Sequence, residues 1–382
     1  ILFDSNREVF FPLSYTRPVS NFRVGILTIK EKWEQYCKSV SVQSADYLLA
    51  KFPLKVEKDN IWVDSRFFPN ESLITELRNL RFGELLEKNG EKIAFRSSVF
   101  NASKLNKINS HAELNYLNNI CDIFSINGRE LITDFTLITK DRKSQPIHKS
   151  NTSLGNNIFI DDGAKVRCSI LNAEDGPIYI GKNCQVMEGS IIRGPFSMCE
   201  NAVVKMGAKI YGSTTLGRYC KVGGEVNNTV FFDYSSKAHD GFIGNSVIGS
   251  WCNLGADTNC SNLKNNYSKV KLWNYEIERF KETGLQFCGL IMGDHSKCGI
   301  NTMFNTGTVI GVSSNIYGSG FVRNFIPSFS WGGSAGFSLY KLQKVFDVAE
   351  KVFSRRDLIF DSLEKRILEE VYSATKRYRN EL

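Results

Sequence analysis

The sequence lacks several features that would assign it to a familiar class of protein. It has no run of about 18 apolar residues, so no membrane span is expected. Charge interrupts the opening segment too early for a signal peptide, which favours the cytoplasm. No basic run is dense enough to indicate nucleic-acid binding, and the net charge of +8 suits anionic small molecules such as phosphates. With 42 % hydrophobic and 23 % charged residues, the composition is that of an ordinary globular protein.

Cysteine occurs ten times but never in a CxxC pair. In a chain of 382 residues without a signal segment, this number does not indicate the disulfide framework of a small secreted protein. Cys184, Cys220, Cys252 and Cys298 fall at apolar or small positions of the repeat described next. We therefore predict that these thiols are reduced and pack as small hydrophobic side chains.

A repeat of six residues organises the chain from Ile180 to about Val322. The apolar positions are Ile180, Val186, Ile192, Met198, Val204, Ile210, Leu216 and Val222, and later Met292, Cys298, Phe304, Ile310, Ile316 and Val322. The residue four places after each is small in most steps. A period of six is neither helical nor alternating, and it is typical of a parallel β-helix in which three short strands make one triangular coil. The apolar residues are predicted to point into the prism.

The chain on either side of the repeat predicts two further units. Residues 1–150 alternate strand-like and helix-like pieces, which indicates an α/β domain with a parallel or mixed sheet. Within it, apolar spacing predicts a helix over 71–89 and an extended segment at 135–138. Residues 151–333 are assigned to the β-helix, from which 263–285 should loop out, and residues 334–382 to a helical tail.

Two sequence motifs carry a family resemblance. The chain reads SKAHDGFIG from Ser236, NLGAD from Asn253 and CSN from Cys260. This resembles the acetyltransferase half of the bifunctional GlmU-type enzymes, whose patterns are SKAGHxxYxG, NIGAGT and CNYDG. The segment PLSYTRP from Pro12 resembles the PLTxxRP that follows the phosphate loop of sugar-phosphate nucleotidyltransferases. The whole chain is thus similar to a reduced GlmU.

The resemblance implies a fold, two activities and an assembly. The C-terminal half of GlmU-type enzymes is a left-handed β-helix that acetylates glucosamine 1-phosphate from acetyl-CoA as a trimer. Their N-terminal half joins N-acetylglucosamine 1-phosphate to UTP, giving UDP-N-acetylglucosamine. By resemblance we expect a homotrimer with acetyl-CoA along the outside of the prism between two subunits. Mg²⁺ would serve the first domain if that domain is active.

The resemblance also assigns roles to individual residues. His239 is the expected general base that removes a proton from the attacking amine, a task for which the histidine pKa is suited. Asn253 and Asn262 match amides that hold the sugar or the acetyl group. Gly255 and Ala256 match the turn whose backbone contacts the acetyl-CoA end.

Some family positions are occupied by other residue types. Tyr211 and Asn228 stand where the family has an arginine and a lysine that clamp the sugar phosphate. The basic charge is then expected from Lys237, Lys264 or Lys269, or else the acceptor is not glucosamine 1-phosphate.

The phosphate-loop position of the first domain, residues 3–7, has no glycine. Arg17 is a candidate phosphate contact, and Asp4 or Asp64 is a candidate Mg²⁺ ligand. Two alternatives therefore stay open: an acyltransferase whose N-terminal domain is degenerate, or a non-catalytic regulatory or scaffold subunit.

A zinc site was also weighed, since some left-handed β-helices are carbonic anhydrases with three histidines around zinc. The repeat region holds only His239 and His295, one short of the required set. We expect His295 to pack at a coil corner or to line the CoA groove.

Overall fold

The computed structural model describes residues 1–379 of the chain. These residues form a mixed β-sheet with flanking helices, a long parallel β-solenoid and two C-terminal helices. The N-terminal strands are β1 (Leu2–Phe3), β2 (Val42–Gln43), β3 (Asn60–Asp64), β4 (Glu84–Lys88), β5 (Glu91–Ser97) and β6 (Asn106–Asn109). The helices of this part are α1 (Ile29–Glu34), α2 (Asp46–Leu49), α3 (Glu71–Asn79), α4 (Asp122–Ser125) and α5 (Asn127–Thr139). The sheet order is β2-β1-β3-β5-β4-β6, and β5 is antiparallel to both neighbours whereas β1 is parallel to both of its own. The predicted mixed sheet is confirmed.

Two local predictions in this domain are wrong for identifiable reasons. The helix predicted over 71–89 ends at Asn79, because Leu80 turns to extended backbone and the following apolar residues belong to β4. Leu85 and Leu86 point to opposite faces of the sheet, and both faces are covered. The strand therefore lacks the alternation of apolar and polar residues by which a strand is predicted from sequence. Residues 135–138 are helical within α5, where Phe135 and Ile138 pack on the solenoid.

The solenoid begins at Thr152 and its last parallel strand ends at Gly333. Its first strands are β7 (Thr152–Leu154), β8 (Ile158–Ile160), β9 (Lys165–Val166), β10 (Ile170–Asn172), β11 (Ile178–Ile180), β12 (Gln185–Val186), β13 (Ile191–Arg193), β14 (Phe196–Met198), β15 (Val203–Val204), β16 (Lys209–Tyr211), β17 (Thr214–Leu216) and β18 (Lys221–Val222). The next are β19 (Glu225–Phe231), β20 (Ser236–Lys237), β21 (Phe242–Ile248), β22 (Asn253–Leu254), β23 (Asn259–Cys260), β24 (Lys271–Asn274), β25 (Arg279–Glu282), β26 (Leu290–Met292), β27 (Lys297–Cys298), β28 (Met303–Phe304), β29 (Thr308–Ile310), β30 (Asn315–Ile316), β31 (Phe325–Ile326), β32 (Ser330–Gly333) and β33 (Gly336–Leu339).

The strand register gives the geometry of a coil. Ile178 pairs with Phe196 and Phe196 pairs with Thr214, so a regular coil takes 18 residues, three repeats of six. Strands one coil apart are parallel and build three faces. We call the face with β8, β11 and β14 the first face, that with β9, β12 and β15 the second, and that with β10, β13 and β16 the third. The apolar positions of the repeat are buried in one continuous interior cluster, which confirms the predicted β-helix.

The N-terminal domain covers the first face of the solenoid. Helix α5 contacts β14 and β17, and helix α4 contacts β19 and β21. Val230, Val247 and Ile291 on this face share a core with the N-terminal domain. The first face is therefore an internal interface of the chain.

The segment predicted to loop out of the prism forms an antiparallel hairpin from β24 and β25. Leu272 and Tyr275 of the hairpin are buried, and Tyr275 contacts Phe325 of the last coils and Tyr378 of the C-terminal segment edge-on. The hairpin thus packs against both the last coils of the solenoid and the C-terminal segment that contains Tyr378.

The tail contains helices α6 (Leu342–Ser354) and α7 (Ser362–Ala374). Phe353 of α6 stacks on Trp251 at 4.1 Å between ring centroids, and Trp251 stacks in turn on Tyr234 at 4.1 Å. These rings fix the tail against the edge between the first and second faces. The longest helices in residues 1–379 have 13 residues, and none is long and apolar enough to cross a membrane.

The ten cysteines are free thiols in the structure. Those at repeat positions are buried, and burial raises the pKa of the Cys184, Cys220 and Cys252 thiols. The prediction that these residues pack as reduced hydrophobic side chains is confirmed.

Candidate active site

His239 lies on the edge where the second face turns into the third face. Its side chain is exposed to solvent, as the proposed role of a base requires. Val203, Lys221, Ser236, Asn253 and Lys297 occupy equivalent positions on successive strands of the second face. In the coils other than that of Lys221, counting three residues onward gives Met206, His239, Ala256 and Ile300, which lie along what we call the His239 edge.

One coil of the His239 edge is shorter than its neighbours. The register pairs Val203, Lys221 and Ser236 at the start of the turn, and Lys209, Glu225 and Phe242 at its end. The turn therefore takes four steps from Lys221 to Glu225, but six in the coils on either side. Two residues are missing from the edge directly beside His239, so the edge is recessed there.

The ammonium group of Lys237 fills the inside of this recess. Lys237 pairs with Val222 and takes the inward position of its strand, where neighbouring coils carry apolar residues. Its Nζ donates to the carbonyl oxygens of Gly223 at 3.0 Å, His239 at 2.8 Å and Asp240 at 3.2 Å. A Cβ at Gly224 would lie 2.8 Å from this Nζ, which explains the glycine.

Lys237 is therefore not a free positive charge for a substrate, and this part of the sequence prediction is corrected. Its side chain is fully buried, and burial lowers its pKa to about 8. Its three hydrogen bonds tie the backbone on both sides of His239 to the preceding coil. Lys237 thus links the His239 turn to the coil before it.

Other predicted residues lie close to His239 along the edge. Asn253 is exposed on β22, one strand from Ser236. Gly255 and Ala256 form the turn stacked on that of His239, at the spacing of about 4.8 Å between adjacent parallel strands. A Cβ on Gly255 would lie 2.3 Å from the backbone of Gly299, so close coil packing already requires glycine there.

The structure separates Asn262 and two of the lysines from His239. The Nδ2 group of Asn262 donates to Oδ1 of Asn245 at 2.7 Å, beside Gly244. Residue 244 is the third residue of β21 on the third face, whereas His239 lies in the bend before that strand. The Lys264 ammonium donates to the Lys269 carbonyl on the hairpin side. Within one chain these residues do not join the His239 edge.

Arg17 lies between the N-terminal domain and the solenoid. Its guanidinium pairs with Asp294 and stands over the ring of Phe232 at 5.1 Å, while Thr16 donates to the same carboxylate at 2.8 Å. Thr16, Arg17 and Asp294 also line a cavity of about 470 Å³ together with Arg23. Arg17 contributes to docking of the two domains, and its expected phosphate contact would have to be made from this position.

Arg7, the last residue of the phosphate-loop position, and the candidate Mg²⁺ ligand Asp64 are both bound to protein groups. Arg7 donates to the carbonyl of Ser14 and to the Tyr47 hydroxyl at 2.8 Å. Asp64 forms a buried ion pair with Arg66 at 2.8 Å.

The Asp4 carboxylate accepts hydrogen bonds from Val19 N at 3.1 Å and from the Ser44 hydroxyl at 2.5 Å, and burial raises its pKa to about 6. Residues 1–379 contain no group of three or more histidine, cysteine, aspartate or glutamate side chains placed to hold a metal. In this arrangement Asp4 and Asp64 do not fit Mg²⁺, and we derive no step through it.

His295 is a buried residue at the edge between the first and second faces, as expected of a corner position. Its ring lies nearly parallel to those of Trp251 and Phe353. Burial lowers its pKa to about 3, so the ring is neutral at physiological pH. This histidine supports the docked tail.

The lowered pKa of His295 predicts an acid-dependent loss of stability. Between pH 6.5 and 3 the unfolded chain binds a proton that the folded chain does not, so the unfolding free energy must fall as the pH falls. His295→Phe keeps a stacked ring but has no group that titrates. We expect its unfolding free energy to fall by about 2–3 kcal/mol less than that of the wild type between pH 7 and pH 4.5. Urea unfolding at the two pH values measures this, and equal losses would contradict the assigned burial of the ring.

The chain is similar to several known proteins. Residues 1–143 match the family model described as "Sugar nucleotidyl transferase". "Bifunctional protein GlmU" of Trichormus variabilis is 24 % identical over 198 residues, which are 50 % of this chain and 37 % of that protein. The "Bifunctional sugar-1-phosphate nucleotidylyltransferase/acetyltransferase" of Sulfurisphaera tokodaii is 28 % identical over 167 residues, 43 % of this chain and 38 % of the relative.

The predicted resemblance to GlmU-type proteins is confirmed, and the matched stretch spans less than half the length of these two relatives. Among solved structures, the polySia-specific acetyltransferase NeuO covers 51 % of this chain and 87 % of its own at 14 % identity and a TM-score of 0.30. The Arabidopsis UDP-N-acetylglucosamine acyltransferase covers 61 % of this chain and 93 % of its own at 17 % identity and a TM-score of 0.23.

The shortened turn beside His239 is a feature that sequence reasoning missed. Its signal was present, since the six-residue repeat lapses after Val222 and the next equivalent inward position, Lys237, follows after 15 residues instead of 18. The exposed apolar residues Met206 and Ile300, at 70 % and 69 % exposure, gave no comparable signal. Their place on the edge follows only from the coil register.

Proposed function

We propose that the solenoid catalyses transfer of an acyl group from acyl-CoA to the amine of a sugar phosphate or nucleotide-linked sugar, with His239 as general base. The observation that carries this proposal is the exposed imidazole of His239, held beside a recessed coil by the three hydrogen bonds of Lys237. The similarity to GlmU-type proteins supports the reaction class.

The proposed reaction needs only one proton acceptor. The amine nitrogen attacks the thioester carbonyl carbon while His239 accepts the proton that the amine loses. The carbon–sulfur bond then breaks, the CoA sulfur leaves with its electron pair and takes up the proton, and an amide remains on the sugar. Asn253 is placed to contact the acyl or sugar group, since it is exposed one strand away.

The edge also offers apolar surface for the pantetheine arm. Met206 and Ile300 lie on either side of the His239 and Ala256 turns and expose most of their side chains. A second subunit would supply the remaining contacts, and Asn262 would then act on the site of a neighbouring subunit in a homotrimer.

An assay with acetyl-CoA and a panel of amino-sugar phosphates and nucleotide-linked amino sugars tests the proposal. No acylated product with any acceptor would favour the non-catalytic scaffold.

The family match over residues 1–143 supports a second activity, transfer of a nucleotidyl group to a sugar 1-phosphate. If this domain is active, pyrophosphate should be released from UTP or dTTP only when a sugar 1-phosphate is also present. Release should fall when Arg7 is replaced by alanine and should not change in the exposed Arg78→Ala variant. Failure with every nucleotide would leave an acyltransferase whose N-terminal domain is not catalytic.

A further inference from the structure

A cavity of about 890 Å³ lies between the β24–β25 hairpin, the last coils of the solenoid and the C-terminal segment near Arg377. None of the residues that we place on the His239 edge lines it. Its volume is within the range of about 300–1,000 Å³ that small-molecule sites in proteins occupy. The cavity has two chemical features, a surplus of positive charge and an aromatic wall.

The hairpin directs a cation and two aromatic rings into the cavity. Trp273 pairs with Phe280 across the two strands, and Lys271 is two residues before Trp273. Because side chains alternate between the faces of a strand, these three residues lie on the same face. Lys281 pairs with Leu272 and therefore belongs to the opposite face.

Positive charge exceeds negative charge around the cavity. Four basic residues line it, Lys264, Lys271, Arg323 and Arg377, against the single carboxylate of Glu278. Glu278 pairs with Arg377 at 3.4 Å, and Glu282, opposite Lys271 on the hairpin, lies 4.0 Å from the Lys271 ammonium. Within residues 1–379, neither Lys264 nor Arg323 has a carboxylate within 4.0 Å. Uncompensated cations on a concave surface attract phosphate groups.

The aromatic wall has an unused hydrogen-bond donor. Trp273 stacks on Phe325 at 4.2 Å, and Phe280, 43 % exposed, stands edge-on to it at 5.5 Å. The indole Nε1 of Trp273 is buried and has no hydrogen-bond partner among residues 1–379. A buried donor without a partner is costly, and a shift of the Trp273 side chain on binding would let an acceptor on the bound molecule satisfy it. Aromatic side chains also bind planar bases by stacking.

We infer that this cavity binds a nucleoside diphosphate group, with the base against Trp273 and Phe280 and the phosphates near Lys271, Arg323 and Arg377. Two kinds of molecule carry such a group, a nucleotide sugar and CoA. Their bases and attached groups differ, so binding can distinguish them. The inference is independent of acyl transfer, because it concerns binding without turnover.

The test is titration calorimetry on the full chain with UDP, dTDP, ADP, CoA and inorganic pyrophosphate. We expect at least one nucleoside diphosphate or CoA to bind in the micromolar range. Lys271→Glu should weaken this binding at least tenfold, and Trp273→Phe, which removes the N–H but keeps a ring, several-fold. Lys281→Glu, on the opposite face of the same hairpin, should bind as the wild type does. Arg78→Ala, an exposed change in the N-terminal domain, should also bind normally. The titration measures binding without turnover, so its outcome is separate from that of the acyltransferase assay.

The ligand panel decides between the two sources. Tighter binding of UDP or dTDP than of CoA assigns the cavity to a nucleotide sugar, and the reverse order assigns it to CoA. Equal binding of pyrophosphate and of all nucleotides, unaffected by Trp273→Phe, would overturn base recognition. No binding by any ligand up to millimolar concentration, or equal weakening by Lys271→Glu and Lys281→Glu, would overturn the inference as a whole.

Discussion

His239→Ala is expected to lower the kcat of acyl transfer by about 10²–10⁴-fold, the usual contribution of a general base. The side chain is exposed and makes no contact that the fold needs, so the melting temperature should stay within about 1–2 °C of the wild type. Steady-state kinetics with acetyl-CoA and the best acceptor of the panel, together with thermal unfolding, measures both quantities.

His111 provides a matched control, because it is an exposed histidine in the N-terminal domain. His111→Ala should leave kcat unchanged. His239→Gln should be nearly as inactive as His239→Ala, since an amide fills the space but cannot accept a proton at neutral pH. Unchanged turnover in His239→Ala would remove this residue from the mechanism, even if the chain is an acyltransferase.

Lys237→Met is expected to reduce kcat by at least tenfold while changing stability little. The methionine side chain suits an inward position among apolar residues, and removing a buried charge offsets part of the lost hydrogen bonding. We therefore expect the unfolding free energy to change by no more than about 1–2 kcal/mol. The carbonyls of His239 and Asp240 lose their link to the preceding coil, and a displacement of about 1 Å at a catalytic group can cost about 10²-fold in rate.

The kinetic pattern distinguishes positioning from substrate binding. If Lys237 only holds the turn, kcat should fall while the KM for acyl-CoA stays near the wild-type value. Lys221→Met is the control, because Lys221 stands one coil away on the same face but points outward. An unchanged kcat in Lys237→Met, or an equal loss in Lys221→Met, would refute the positioning role.

Local sequence patterns were reliable wherever the strand has a clear inside and outside. In the solenoid, residues six apart occupy equivalent positions on consecutive strands, so they have the same surroundings. Ile192, Ile210 and Ile310 could therefore be placed in the interior from sequence alone. The same reasoning failed for Leu85 and Leu86, whose strand is covered on both faces.

The sequence by itself determined the parallel coil, its buried apolar column and the motif around His239, because each depends on residues near one another in the chain. Only the tertiary structure decided that Lys237 points inward, that Arg17 is paired with Asp294, and that Asn262 lies away from His239. These depend on which coils and domains meet across long stretches of chain. The turn between Lys221 and Glu225 is two residues shorter than its neighbours, and this difference changes what Lys237, twelve positions after Glu225, contacts.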